Sequence, residues 1–391
     1  MNGPAEQGRG SVDVDPLDID QALATRAAMT LGTKVGLMRL TARKRAVVDK
    51  TGILLRYLKC RLGPGKLSPE EFLKFGLDGA TNADLHRFVG HVAQQEMHDA
   101  CNDSTWFATS KNKLLWQTIQ LGAGLPVPET LAVYDRHGRG GSVPVLKHKS
   151  SLAAFLSDPL NIPVFCKPVA GVYSVGAFRV DEFDGKTALV NGQWKKSVCD
   201  IVGYFESIGK KGYLLQRPLK PHGKLSKITG NSVATLRCFL LMDGGTSSVI
   251  RTVLKLPTKG EVADNFWRPD AQLCAIDTGN GKLTRIITNK GSARTPKIVS
   301  RTDGFPSKGF KVPDFQESIE LVHEAARHFP AVRTQSWDIA ITDTGPVLME
   351  LNFGGDLSLV QMAHAKGILD NEYCDHLRRC GYSGKLPRGC S

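Results

Sequence analysis

Trp337-Asp-Ile-Ala-Ile-Thr-Asp-Thr-Gly-Pro-Val-Leu-Met-Glu-Leu-Asn352 reads as a β-hairpin. Trp337, Ile339 and Ile341 alternate with Asp338, Ala340 and Thr342. Beyond the turn, Val347, Met349 and Leu351 alternate with Leu348, Glu350 and Asn352. A period of two sends each set to one face of the ribbon. Asp343-Thr344-Gly345 suits a three-residue loop, with glycine where φ must be positive. That loop sets Asp338 directly opposite Glu350, with Asn352 two residues on along the same face. Two like charges roughly 5 Å apart at Cβ are destabilising by themselves. Hard divalent cations take oxygen ligands of this kind. The three side chains are therefore read as an Mg²⁺ site, and the Mg²⁺ as a carrier of phosphates. A carboxylate on a strand ordinarily just meets solvent. Here an opposed pair, an amide on the same face and the Gly-rich exit Phe353-Gly-Gly-Asp356 occur together.

Outward from the hairpin, the bulk numbers set bounds. At 391 residues the chain exceeds one typical core, so two or three domains are expected. Hydrophobic content of 41% and charged content of 23% suit a globular protein. No apolar run reaches membrane-span length. Met1 to Asp20 lacks the apolar stretch of a signal peptide and reads as a disordered tail. The nine cysteines are irregularly spaced, without C-x-x-C, which argues for a reducing compartment, read as cytoplasmic, and against a disulfide framework or a zinc site. The net charge of +13 favours anionic partners. Its densest cluster, Lys34 to Lys66, mixes Arg39, Arg43, Lys44, Arg45, Lys50, Arg56, Lys59 and Arg61 with apolar residues. This segment is either a solvated helix face or a peripheral contact with an anionic membrane. No zinc-finger spacing or RNA-binding aromatic signature supports nucleic acid as a partner.

Residues 21 to about 105 read as mostly helical. Ser68-Pro-Glu-Glu71 is a helix start, with Ser as N-cap and Pro at the first position. Ala83 to Asp99 reads as one helix. Lys113 to Leu121 is a short helix stopped by Gly122 and Gly124. Strands are expected at Thr130 to Tyr134, Ile162 to Val169, Phe178 to Val180, Thr187 to Val190 and Tyr213 to Gln216. Two long strands, Val233 to Met242 and Ser248 to Leu256, flank Asp243-Gly-Gly245. Glu317 to Phe329 has the 3-4-3 apolar spacing of an amphipathic helix.

If phosphates bind, cations and backbone N–H groups should meet them. There is neither a P-loop nor G-x-G-x-x-G after a strand. The best substitute is Lys167 at a strand end, followed by the small-residue loop Gly171 to Gly176, which includes Ser174. Arg237, Arg251 and Lys255 lie on the paired long strands, where guanidinium groups can clamp carboxylates or phosphoryl oxygens. Asp264-Asn265-Phe266 reads equally as loop capping or as a substrate contact.

These pieces, in this order, resemble the ATP-grasp superfamily. The matches are Lys167-Pro168 with Gly171 to Gly176, the extended linker Leu214-Leu-Gln-Arg-Pro-Leu219, Arg237, and Asp338 with Glu350-Leu-Asn352. Asn112-Lys113 ahead of Leu125-Pro-Val-Pro128 looks like the segment that carries the family's other nucleotide-binding lysine. Ser232 to Arg237, Asp264-Asn265-Phe266, the hairpin and Leu67 to Phe72 are similar to the sugar-transfer associated, or alpha-L-glutamate-ligase-related, group. Arg237 and Arg251 look like the paired arginines of the glutamate-ligase branch. The resemblance covers roughly residues 65 to 370. Two positions depart from the family pattern: Gln216-Arg217 stands where the linker often has Glu, and Trp267-Arg-Pro-Asp270 replaces glycines after Asp-Asn-Phe.

The resemblance implies an α+β ATP-grasp fold, two lobes clasping ATP, with a helical N-terminal region. The expected segments are a tail (1–20), N-terminal helices (21–110), an N-terminal lobe segment (111–150), a lid lobe (151–222), a central lobe with the metal (223–370) and a C-terminal tail (371–391). It implies Mg²⁺ on Asp338, Glu350 and Asn352. Lys113, Lys167, Gly171, Ser174, Gly176, Gln216, Arg217, Pro218 and Leu219 would contact ATP. Arg237 and Arg251 would hold an acylphosphate formed from a carboxylate before an amine displaces phosphate. The expected activity is thus an ATP-dependent carboxylate–amine ligase, with cell-surface polysaccharide or amino-acid and sugar conjugate synthesis as the expected setting. The alternatives are a kinase of hydroxyl acceptors on the same fold and an inactive nucleotide-binding partner protein.

Overall fold

The computed structural model describes residues 15–20, 47–79, 82–171, 174–291, 297–301 and 306–390. The chain groups into two compact units. The first holds Thr130–Gly171 and Val175–Pro218 with the described residues of Met1–Ala24. The second holds the described residues of Thr25–Glu129 and Leu219–Ser391, together with Ser174. These bounds differ from those expected from sequence. Residues 130–150 join the first unit because Thr130–Tyr134 pairs with Tyr213–Gln216 and Val145–Leu146 pairs with Thr130–Tyr134 in turn, while 111–129 join the second.

Among the described residues, seven strands make the first unit's sheet: β1 (Thr130–Tyr134), β2 (Val145–Leu146), β3 (Val164–Pro168), β4 (Phe178–Phe183), β5 (Thr187–Val190), β6 (Trp194–Ser197) and β7 (Tyr213–Gln216), in the order β2-β1-β7-β3-β4-β5-β6. Alternate residues Val164, Cys166, Phe178, Val180, Ala188, Val190, Tyr213 and Leu215 turn to one face. Helices Lys149–Ser157 and Val198–Ile208 cover that face with Leu152, Leu156, Ile201, Tyr204 and Phe205. Ser197 starts the second helix with a full capping box to Asp200. Leu17 is buried in this core and Asp15 pairs with Lys196, so 15–20 is anchored, where a disordered tail was expected. The rest of that tail lies outside the described residues.

The second unit's sheet holds β8 (Thr235–Asp243), β9 (Thr246–Leu256), β10 (Gln272–Ile276), β11 (Leu283–Asn289), β12 (Ile298–Arg301), β13 (Thr334–Thr342) and β14 (Gly345–Phe353). Its order is β12-β11-β10-β9-β8-β13-β14, antiparallel throughout. The Asp243-Gly-Gly-Thr246 turn joins β8 to β9 as expected, with both glycines at positive φ. Both faces of this sheet are covered, so β8 reads as a nearly continuous apolar run. On one face Leu236, Cys238, Leu240, Trp337, Ile339 and Ile341 meet helix Phe315–Ala326. On the other, Phe239, Leu241 and Val253 meet helices His91–Cys101, Leu357–His364 and Asn371–Arg379. The segment expected as a C-terminal tail is thus part of a core, with Tyr373, Cys374 and Leu377 fully buried.

The expected N-terminal helices form, with one break. Ser68 and Glu71 make the capping box of helix Pro69–Lys74. The single helix expected over Ala83–Asp99 divides into Asn82–Leu85 and His91–Cys101. Between them, the Gln361 side chain bonds both the N–H and the C=O of Val89, and Gly90 N–H donates to Gly65 C=O. Tertiary partners here satisfy backbone groups that a helix would otherwise pair internally. Helix Val47–Leu62 buries Ile53, Tyr57 and Cys60 beside Phe72 and Leu77 and leaves Leu54, Leu55, Leu58 and Leu62 exposed. The rest of the basic cluster, residues 34–46, lies outside the described residues. None of the described helices is long and apolar enough to cross a membrane.

Candidate functional site

The hairpin forms, and Asp338 faces Glu350 across it. The route to that register differs from the expected one. Thr342 pairs with Gly345, so the loop is the two residues Asp343-Thr344. The register then slips by one residue, because Asp338 pairs with Glu350 while Ile339 pairs with Leu348. Met349 is the extra residue of a β-bulge. Turn and bulge offset one another, and the carboxylates meet as the three-residue loop implied. The bulge also breaks the alternation: Leu348 and Leu351 both enter the same core.

Trp337 and its neighbours at spacing two fill one face, so Asp338 must point to the other. There it is 4% exposed and lies beside Arg237 on β8, 9% exposed. Arg237 donates Nε to Asp338 Oδ1 at 2.7 Å and Nη2 to Oδ2 at 2.6 Å, a bidentate fork. Lys255 of β9 donates Nζ to Asp338 Oδ2 at 3.0 Å and pairs with Asp264 at 2.7 Å. Glu350 is half-buried and pairs with Lys113 Nζ at 3.1 Å. Asn352 places its amide nitrogen 3.5 Å from Glu350 Oε1. Asn112 caps helix Lys113–Gly122 through its side chain, which fixes where Lys113 starts. Three cations and three carboxylates thus share one sheet face.

Burial pushes the Asp338 carboxyl up, but Arg237 and Lys255 outweigh it and hold the group well below the usual carboxylate range. Glu350 behaves alike: burial raises it, Lys113 lowers it, and it ends below its ordinary value despite Asp338. Asp264 is displaced upward, by burial first and by Asp338 next, against the pull of Lys255. Asp338 and Glu350 therefore stay ionised, as metal ligands must. Fit to a hard cation follows from lone pairs. Glu350 and Asn352 lie side by side on the half-open side, and turning the Asn352 amide about its last bond would set its oxygen beside the carboxylate. Asp338 Oδ1 takes one bond from Arg237 and keeps a second lone pair.

Arg251, expected beside Arg237, goes elsewhere. It faces Phe239 across the strands, two pairs further along than the Arg237–Val253 pair, and its Nη2 donates to Asp370 at 2.7 Å. Lys255 occupies the place foreseen for it. Arg251, Val253 and Lys255 share a face, and spacing alone could not choose between the two cations. Lys167 lies on β3, paired with Leu214 of β7. After it, Gly176 is required by contact and by φ of 84°, since a Cβ there would fall 2.7 Å from the Tyr213 hydroxyl. Ser174 also has positive φ, and its hydroxyl donates to the Asp264 carbonyl at 3.4 Å. Gln216 ends β7, buried, with Nε2 donating to Thr130 Oγ1, and Arg217 donates to the Leu160 carbonyl. Pro218 closes the first unit and Leu219 opens the stretch that belongs to the second. Gly171 closes the described part of the loop before residues 172–173.

A family model for the sugar-transfer associated ATP-grasp proteins matches residues 93–375, more than half of the chain. No curated protein matches the sequence. Among solved structures, the chain is similar to the VanG D-Ala:D-Ser ligase of Enterococcus faecalis, at 13% identity over 71% of this chain and 63% of that one, with a TM-score of 0.42. It is similar to the D-alanine-D-alanine ligase of Coxiella burnetii, at 12% identity over 72% and 59%, with a TM-score of 0.39. An ADP complex of N5-carboxyaminoimidazole ribonucleotide synthetase matches at 12% over 78% and 63%, with a TM-score of 0.39. The chain thus spans less than two thirds of the length of each of these three.

Proposed function

We propose, from the premise that this chain belongs to the sugar-transfer associated ATP-grasp family, that it is an ATP- and Mg²⁺-dependent ligase joining a carboxylate to an amine. The observation that carries the reading is the sheet-face cluster Arg237–Asp338–Lys255 with Glu350, Asn352 and Lys113. Anionic side chains kept ionised beside buried cations are what a metal–phosphate centre needs. A structural ion-pair network alone does not call for an amide and a half-open carboxylate at its edge.

In this reading Glu350, Asn352 and Asp338 hold Mg²⁺, which supplies charge neutralisation at the phosphates when bound. Lys113, which pairs with Glu350, would also neutralise a phosphate oxygen. Lys167, Gly171, Ser174, Gly176 and the linker Gln216 to Leu219 are the further candidates for contact with ATP. A substrate carboxylate oxygen bonds to the γ-phosphorus as the bond to ADP breaks, giving an acylphosphate. The amine nitrogen then bonds to the acyl carbon, phosphate leaves, and the nitrogen gives up its proton. Arg237, already oriented by Asp338, holds the oxygen that gathers negative charge in both steps. Arg251 is assigned to Asp370 instead of to this role. Amino acids and sugar acids are the substrate classes to try first.

The test is phosphate release from ATP and Mg²⁺ across a grid of carboxylates and amines, with Glu350→Gln beside it. Release that needs both partners and disappears in the variant supports the ligase. Release with a hydroxyl acceptor and no amine makes it a kinase. Release that survives in the variant moves the site elsewhere.

A further inference from the structure

Away from the acidic hairpin, three soft donors converge between the two ends of the second unit. Tyr373, His376 and Cys380 recur at i, i+3 and i+7 along helix Asn371–Arg379 and its C-cap, so they share one helix face. Opposite lies Cys101, the last residue of helix His91–Cys101. The ligand atoms of Cys101, His376 and Cys380 all lie within 4.8 Å of one another. Cys101 and His376 are buried, and Cys380 is partly open to solvent. His376 Nε2 sits 3.4 Å from Cys380 Sγ, and its Nδ1 has no hydrogen-bond partner. The Tyr373 hydroxyl, on the same helix face, is likewise buried without one.

The spacing can be checked against a metal. Zinc takes sulfur at about 2.3 Å and imidazole nitrogen at about 2.0–2.1 Å in a tetrahedron, which sets S···N edges near about 3.6 Å and S···S edges near about 3.8 Å. The observed 3.4 Å and the 4.8 Å bound leave room for that ion with small side-chain shifts. Two thiols and an imidazole do not suit Mg²⁺ or Ca²⁺, which take oxygen. The four-residue step from His376 to Cys380 is a helical ligand spacing, and Cys101 arrives from the far side of the sequence. The irregular cysteine spacing, read from sequence as evidence against zinc, conceals this convergence because the third ligand is 275 positions from the second.

We propose that Cys101, His376 and Cys380 bind a zinc-class divalent cation that clips the C-terminal helix to helix His91–Cys101. The fourth tetrahedral position faces the Tyr373 side or solvent. The site uses none of the hairpin residues, and the proposal stands whether or not the ligase reading does.

The experiment uses the purified full-length chain, reduced, loaded with Zn²⁺ alone and then freed of excess ion by gel filtration. Elemental analysis is expected to find about one bound ion per chain in the wild type, and none in Cys101→Ser or Cys380→Ser. Loading with Co²⁺ alone is expected to give a thiolate-to-metal charge-transfer band that Asp338→Asn retains and His376→Asn weakens. Should the cysteine variants fail to fold, the wild-type ion content and cobalt spectrum decide by themselves. A wild type that retains no ion and shows no thiolate band overturns the proposal. So does recovery of Cys101 and Cys380 as a disulfide in metal-free protein purified without reductant, which would make the pair a redox element.

Discussion

Replacing Arg237 with Met removes both arms of its fork on Asp338 and leaves a nearly dry carboxylate with one cation. Each charge-assisted bond of this kind is worth about 1.5–3 kcal/mol, so the gross loss is roughly 3–6 kcal/mol. Lys255 keeps its bond to Asp338 Oδ2 at 3.0 Å. The net cost should therefore sit at the low end of what breaking a buried pair costs, about 3 kcal/mol. Asp338→Asn should cost a similar amount, since it leaves Arg237 buried without its anion. If the two act as one pair, Arg237→Met with Asp338→Asn should cost less than the sum by about 2–3 kcal/mol. Urea unfolding followed by tryptophan fluorescence is the assay, because Trp337 is fully buried next to Asp338 and lies 6.2 Å from Trp116 between ring centroids. With a slope near about 2 kcal/mol per M, either single variant should lower the midpoint by about 1.5 M. A double variant whose cost equals the sum of the singles, within about 0.5 kcal/mol, would refute the coupling and with it the claim that Arg237 is held in place by Asp338.

The same cluster predicts an acid response. The Asp338 and Glu350 carboxyls are held below their ordinary values, so the stability they confer is complete above about pH 4 and is lost as pH falls through their lowered values. Arg237→Met should start that loss at higher pH, seen in acid unfolding curves. In the ligase reading, Glu350→Gln should cut ADP release by about 10²–10³-fold, measured by coupled assay at saturating ATP, whereas Lys113→Met should act mainly on the KM for ATP. Gly176→Ala should destabilise the first unit by about 2–4 kcal/mol, combining a positive φ with a clash on Tyr213, and thermal unfolding of the variant checks it. Vesicles rich in anionic lipid should sediment the chain if residues 34–66 form the membrane contact. Leu55→Asp together with Leu62→Asp, two exposed positions on helix Val47–Leu62, should abolish that binding.

How far the sequence could be read depended on how locally each feature is set. The hairpin, the Asp243-Gly-Gly-Thr246 turn and the Ser68 capping box are fixed within a few residues, and each formed where its pattern put it. The Asp338–Glu350 pairing was correct although two of its premises failed. Period-two reasoning assumes one residue per rung, and nothing local distinguishes a three-residue loop from a two-residue turn with a bulge at Met349. What differs is the far end of β14, where the bulge lets Leu348 and Leu351 enter the same core, and that core is assembled from distant elements. Features that depend on distant partners could not be read. The break at Val89 is set by Gln361, 272 positions away. The choice between Arg251 and Lys255 is set by where Asp370 and Asp264 arrive. The C-terminal helix looked like a tail because its apolar residues are few, and only the sheet face above Phe239 gives Tyr373 something to pack on. A residue's type thus announced its chemistry early. Its partner, when brought by a separate element, decided which of two equivalent positions would use that chemistry.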